Sequence, residues 1–95
     1  MKLLLVSAVA LIDQDGRVLL SKRPKDKEMA GLWEFPGGKI EHNESPETAL
    51  IRELAEELGI LTWNSCLAPL TFASHKYDTF HLLLHLFICR RWKGF

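Results

Sequence analysis

The sequence is short of cysteine, of tyrosine and of net charge, and each shortage removes a class of protein. Its 95 residues include two cysteines, one tyrosine, and twelve acidic against twelve basic side chains, so the formal net charge is zero. Cys66 and Cys89 lie in apolar, strand-like surroundings without a second ligand pair, so they are read as packing residues rather than as a disulfide framework or a zinc site. Zero net charge gives no global attraction to nucleic acid or to an anionic membrane, and neither partner is expected. The N-terminal run MKLLLVSAVALI is too short to span a bilayer and passes directly into DQDGR without a small-residue cleavage pattern. A cytoplasmic location is the expectation that follows.

What is present is the material of a folded protein. Hydrophobic residues make up 47% of the chain, enough for one modest core at this length. Leu3 to Ile12 reads as a buried strand, the turn residues Asp13 to Gly16 as the head of a hairpin, and Arg17 to Ser21 as its return strand. The polar stretch Lys22 to Met29, with Pro24, reads as a loop. Leu32 to Phe35 reads as a short extended piece ended by Pro36-Gly37-Gly38, whose glycines permit a tight backbone beside a ligand.

Ser45 and Pro46 open a helix as N-cap and first helical residue, and Gly59 closes it. At about 100° per residue, Leu50, Leu54, Leu58, Ile51 and Ala55 fall within an apolar stripe of about 140°. Glu53, Glu56 and Glu57 share a face outside the middle of that stripe, because they are separated by three, four and one residues. Beyond the helix, Leu67 to Ala73 reads as a strand with poor alternation, and Phe80 to Cys89 as a strand in the middle of a sheet. Strands, one helix and more strands give an α+β fold, a mixed sheet packed against the helix.

Like charges at i,i+4, as in Glu53 and Glu57, cost a helix a few tenths of a kcal/mol, roughly, and Arg52 can relieve Glu56 at the same spacing. A cost that small leaves two readings open, a solvated acidic face or a cluster of hard oxygen donors for a divalent cation. The histidines offer no alternative site. His42, His75, His81 and His85 lack ligand spacing, and Ser74, His75 and Asp78 have no arrangement that makes a nucleophilic triad.

The longer segment GKIEHNESPETALIRELAEELGI, residues 38–60, resembles the signature of the Nudix hydrolase family at every defined position: Gly38, Glu44, Arg52-Glu53, Glu56-Glu57 and Gly59, with aliphatic residues between and after them. The flanking LSKRPKDKEMAGLWEFPGGK and CRRWKG are similar to the MutT-type nucleoside triphosphate pyrophosphohydrolases within that family. The resemblance implies a Nudix-like sheet packed on the signature helix. It also implies hydrolysis of a nucleoside diphosphate linked to another group with Mg²⁺ or Mn²⁺, giving a monophosphate and pyrophosphate when the substrate is a triphosphate. Oxidised purine nucleotides such as 8-oxo-dGTP, and with them a part in DNA repair, come with the MutT likeness. Nucleotide-sugar or dinucleotide polyphosphate hydrolysis, and nucleotide binding without turnover, are the alternatives.

Carried onto this chain, the resemblance makes Glu53, Glu56 and Glu57 metal ligands together with the Gly38 carbonyl. It makes Arg52 and Glu44 a supporting ion pair, and Glu53 a candidate to orient the attacking water. Divalent cations neutralise a phosphate chain and make water more acidic, so such carboxylates serve mainly as scaffold. Arg17, Lys22, Arg23, Lys25 and Lys27 face one acidic neighbour, Asp26, across residues 17–27. Arg23 and Lys39 are therefore candidates for contact with the nucleotide. Phe35 could stack on a base, although an aromatic there is more often core, and Trp33 and Trp92 are read as structural. The C-terminal strand, helix, further glutamate and purine-reading residue expected of the family are not found after RRWKG. The expectation is a partial domain over 1–95, with self-association as one consequence of an uncovered edge.

Overall fold

The computed structural model describes residues 2–22 and 33–94. Arg23, together with most of the expected loop and Leu32, lies outside the described residues. The first strand, β1 (Lys2–Ile12), is buried from Ser7 to Leu11 and turns at Asp13 to Gly16. Asp13 fixes this turn: its carboxylate accepts the backbone N–H of Asp15 and of Arg17, both at 2.9 Å. The return strand is shorter than the sequence suggests. β2 (Val18–Leu19) pairs antiparallel with β1, while β3 (Ser21–Lys22) turns away to pair with β4 (Trp33–Glu34) in a separate two-stranded sheet. Lys22, expected in the loop, belongs to that second sheet.

The segment after β4 also differs from the expectation. Gly37 to Lys39 does not merely end an extended piece; it forms β5 (Gly37–Lys39), antiparallel to β1 with Ser7 opposite Gly38 and Ala8 opposite Gly37. Gly37 has φ 155°, and a Cβ there would collide with the Ser7 carbonyl and lie 2.7 Å from the Ala8 Cα. Its lack of a side chain is required by the approach of two backbones.

The helix α1 (Pro46–Leu58) has the termini its sequence predicts. Ser45 Oγ accepts the Thr48 N–H at 3.1 Å, and Gly59 adopts a left-handed conformation at φ 66°. The N–H of Gly59 then bonds the Ala55 carbonyl and that of Ile60 the Leu54 carbonyl, each at 3.2 Å. A 3-10 turn (Asn64–Cys66) leads into the long hairpin of β6 (Leu67–Lys76) and β7 (Phe80–Cys89).

The main sheet runs β2-β1-β7-β6, with β5 beside β2 on β1. β7 is parallel to β1 and antiparallel to β6, so it is internal as expected, and the sheet is mixed. β6 runs three residues further than the sequence suggests, to Lys76. Its poor alternation has a cause: the pairing skips Leu70, between Pro69 opposite Phe87 and Thr71 opposite Leu86. A bulge of this kind shifts side-chain parity along one strand.

Val9, Leu11, Leu67, Phe87 and Cys89 of the sheet meet Leu50 and Leu54 of α1 and Ile60 beyond it. Each buried leucine contributes about 1.5–3 kcal/mol relative to exposure. Trp92 packs against this cluster, in keeping with a structural role, whereas Trp33 is 64% exposed with the Lys22 ammonium 5.7 Å from its ring centre. The structural reading of Trp33 is therefore corrected, because β4 lies in the small second sheet and not over the core. Both cysteines are free. No helix among the described residues is long and apolar enough to cross a membrane.

Candidate metal and phosphate site

The site is organised by one arginine. Arg52 Nε donates to Glu44 Oε2 at 2.7 Å and Nη2 to Glu44 Oε1 at 2.9 Å, a bidentate pair with both side chains largely buried. Nη2 also reaches the Lys39 carbonyl at 3.2 Å, and Nη1 donates to Glu53 Oε1 at 2.8 Å. Glu56, the partner suggested by helical spacing, is more distant at 3.5 Å and more exposed. One guanidinium thus ties β5, the 41–44 turn and the acidic side of α1 together.

The turn is shaped to deliver Glu44. Asn43 takes a left-handed conformation at φ 69°, which asparagine tolerates better than most side chains. The Glu44 N–H donates to the Glu41 carbonyl at 3.1 Å, and Glu44 Oε1 accepts the Glu41 N–H at 2.9 Å. Hydrogen bonds from Arg52, reinforced by that N–H and by the guanidinium charge, hold the Glu44 carboxyl down at about 2. The same two carboxylates push the Arg52 pKa up, Glu44 more than Glu53.

Gly38 faces the acidic side of α1 at close quarters. A Cβ at this position would lie 2.5 Å from the Glu53 carboxyl carbon and 2.7 and 2.8 Å from its oxygens. Only a glycine leaves the Glu53 carboxylate its place against β5. Lys39, one residue on, alternates to the opposite side of the strand; its carbonyl serves Arg52, but its side chain is directed away from the face Gly38 shares with Glu53.

The carboxylates are crowded enough to change their chemistry. Glu57 is exposed over much of its length, yet partial burial of its carboxyl group pushes its pKa up to about 7, helped by a hydrogen bond shared with Glu53 and by the charges of Glu53, Glu34 and Glu56. Glu34 was missed in reading the sequence. The signal was a lone acid inside the otherwise apolar LWEF, but its nearness to α1 depends on the β3–β4 pairing, which sequence spacing does not reveal.

The donor set fits a divalent cation, since Glu53, Glu56 and Glu57 are hard oxygen ligands whose mutual repulsion a cation would relieve. No three His, Cys, Asp or Glu side chains among the described residues already hold metal-binding geometry. Glu53 is turned toward Arg52 and shares a hydrogen bond with Glu57. The remaining candidates are dispersed. Phe35 is 38% exposed and outside the core, contrary to the more common expectation for an aromatic there. Arg17 is neutralised within the hairpin, by Asp13 at 2.8 Å and Asp15 at 3.2 Å, so the basic run is weaker than its residue count suggests. A cleft of about 330 Å³ lined by Leu11, Arg17, Leu19, Ile60 and Trp92 includes none of the helix carboxylates and has no part in this site.

The structure thus presents a mixed sheet bearing one helix, with the Glu53 carboxylate set against Gly38 and Arg52 locked to Glu44 beside it. The chain belongs to the NUDIX domain family, whose model matches residues 7–95. It is 41% identical to the 8-oxo-dGTP diphosphatase of Proteus vulgaris over 98% of this chain and 81% of that protein. It is 45% identical to the CTP pyrophosphohydrolase of Escherichia coli over 90% of this chain, spanning 60% of that relative's length. Among solved structures, the MutT NUDIX hydrolase from Burkholderia pseudomallei matches with a TM-score of 0.86 at 31% identity, over 99% of this chain and 71% of that one.

Proposed function

We propose that the protein hydrolyses nucleoside triphosphates to the monophosphate and pyrophosphate with a divalent cation, Mg²⁺ or Mn²⁺, and that oxidised purine nucleotides are its substrates. The observation that carries this reading is the Glu53 carboxylate set against Gly38 and hydrogen-bonded to Glu57, whose pKa is raised by burial first and then by the hydrogen bond and charge of Glu53 and the charges of Glu34 and Glu56.

Glu53, Glu56 and Glu57, with the Gly38 carbonyl, would hold the cation. When bound, it offsets the charge of the phosphate chain and polarises the anhydride bond. Arg52 acts at one remove: pinned by Glu44 and the Lys39 carbonyl, it orients Glu53 and keeps α1 against β5. Glu53 would orient the attacking water, a reading supported by a carboxylate held between the Arg52 guanidinium and the Glu57 carboxyl. Phe35, exposed just before β5, would supply a face for the base, and Arg23 remains the cationic candidate for the phosphates, since the Lys39 side chain is directed away from Gly38 and Glu53. The oxidised-purine reading draws on the Proteus vulgaris relative. The Escherichia coli relative favours CTP as the second substrate to consider.

The test is product identification. Incubation with 8-oxo-dGTP, dGTP and CTP in Mg²⁺ should release pyrophosphate and monophosphate, with 8-oxo-dGTP turned over fastest. Orthophosphate as the first product, or no turnover of any of the three, would contradict the proposal. Faster turnover of CTP would shift the substrate and leave the chemistry in place.

A further inference from the structure

Among the described residues, β6 is the outer strand of the main sheet. Every residue from Ala68 to Lys76 is exposed, and the strand has β7 as its one pairing partner among the described residues. The Tyr77 N–H donates to the Phe80 carbonyl at 2.8 Å, which fixes the phase of the hairpin. Antiparallel residues alternate between hydrogen-bonded and non-bonded pairs, so Thr71, Ala73 and His75 direct their backbone groups toward β7. Phe72, Ser74 and Lys76 direct theirs outward, with no second strand among the described residues to receive them.

Edge strands are normally blunted by proline, bulges or charge. Here Pro69 and the Leu70 bulge blunt one end, and Lys76 is the sole formal charge of the strand, at the other end. The intervening stretch Thr71 to His75 carries none of these devices, and Phe72 is 68% exposed.

We infer that β6 is a dimerisation edge that pairs antiparallel with β6 of a second copy of this chain, centred on Ser74. The register follows from the three outward-facing residues. Centring on Ser74 sets Ser74 opposite its own copy and Phe72 opposite Lys76 at both ends, so all three outward residues exchange backbone hydrogen bonds. Centring on Lys76 would oppose two ammonium groups, and centring on Phe72 would run the pairing through the Leu70 bulge. The Ser74 register instead lays each ammonium beside an aromatic ring, a favourable pairing across strands. The strand is therefore complementary to itself, which selects a second copy over an unrelated extended peptide.

Sedimentation velocity over a concentration series tests this, with circular dichroism to confirm folding. The wild-type chain should form a dimer. Ser74→Pro removes an outward N–H that β7 does not use and should give a monomer, while Ser74→Ala, which keeps that N–H, should remain dimeric. Phe72→Lys sets ammonium groups against each other and should weaken association by at least about tenfold. Adding Lys76→Glu to that variant should restore it, and this pair decides the matter if Ser74→Pro fails to fold. A wild-type chain that stays monomeric, or dimers of Ser74→Pro or Phe72→Lys as tight as wild type, would overturn the inference.

Discussion

Along one side of α1, Leu50 and Leu54 are fully buried within the core cluster of the sheet; along the other, Arg52 binds Glu53 and reaches Glu56, while Glu57 feels the charges of Glu53, Glu34 and Glu56. The first side supports the fold through area removed from water. The second partly buries Glu57 and gathers like charges beside it, which together raise its pKa, an arrangement that costs stability in the absence of a cation. A single short helix thus separates the residues that hold the protein together from those proposed to act on substrate. Substitutions on the two sides should fail in different ways.

The largest effect should come from Glu53→Gln, which keeps the shape and a hydrogen-bond acceptor for Arg52 but removes a charge. Turnover of nucleoside triphosphate should fall by about 100-fold or more, while the melting temperature stays near that of wild type. Equal losses of activity and stability would erase the distinction between the two sides. Leu54→Ala should show the reverse, a loss of about 2–5 kcal/mol in urea unfolding from the cavity left in the core. Any remaining folded fraction should keep its metal dependence.

Gly38→Ala sharpens the comparison at the point where the sheet meets the acidic side. Its Cβ displaces the Glu53 carboxylate, and Mn²⁺ affinity measured by calorimetry should fall by roughly 10–100-fold. Unchanged affinity would show that Glu53 does not need its place against β5. The Glu44–Arg52 pair should appear in the acid limb of stability. Because the folded Glu44 pKa lies near 2, below its ordinary 4.5, the stabilisation is complete above about pH 4.5 and is lost as pH falls toward 2. Glu44→Gln should lower stability at neutral pH and flatten that limb in denaturant titrations.

The smallest effect is expected at Ser7, whose fully buried Oγ has no hydrogen-bond partner among the described residues. Ser7→Ala removes an unsatisfied hydroxyl and should raise stability by about 1 kcal/mol, detectable as an upward shift in the urea midpoint. A decrease would mean that the hydroxyl has a partner in solution.

The helix was the most legible part of the sequence because its determinants are local. Ser45, Pro46, Gly59 and the apolar spacing lie within one continuous segment, and the acidic side follows from the same periodicity. The sheet was less legible because register depends on partners far along the chain. Nothing in Arg17 to Ser21 reveals that Leu20 separates strands of two sheets, and nothing near Leu70 reveals a bulge. The same limit hid the site's wider setting. Gly37 looks like a turn residue until the Ser7 and Ala8 backbone is placed against it, and Glu34 looks incidental until β4 is positioned.

The acidic side of α1 as a cation site is the central claim, and Mn²⁺ titration followed by electron paramagnetic resonance tests it without requiring turnover. The wild-type chain should quench the free Mn²⁺ signal saturably, and Glu57→Gln and Glu53→Gln should each weaken that binding by about tenfold or more. Mn²⁺ binding that is absent, or that is as tight in both variants as in the wild type, would contradict the account.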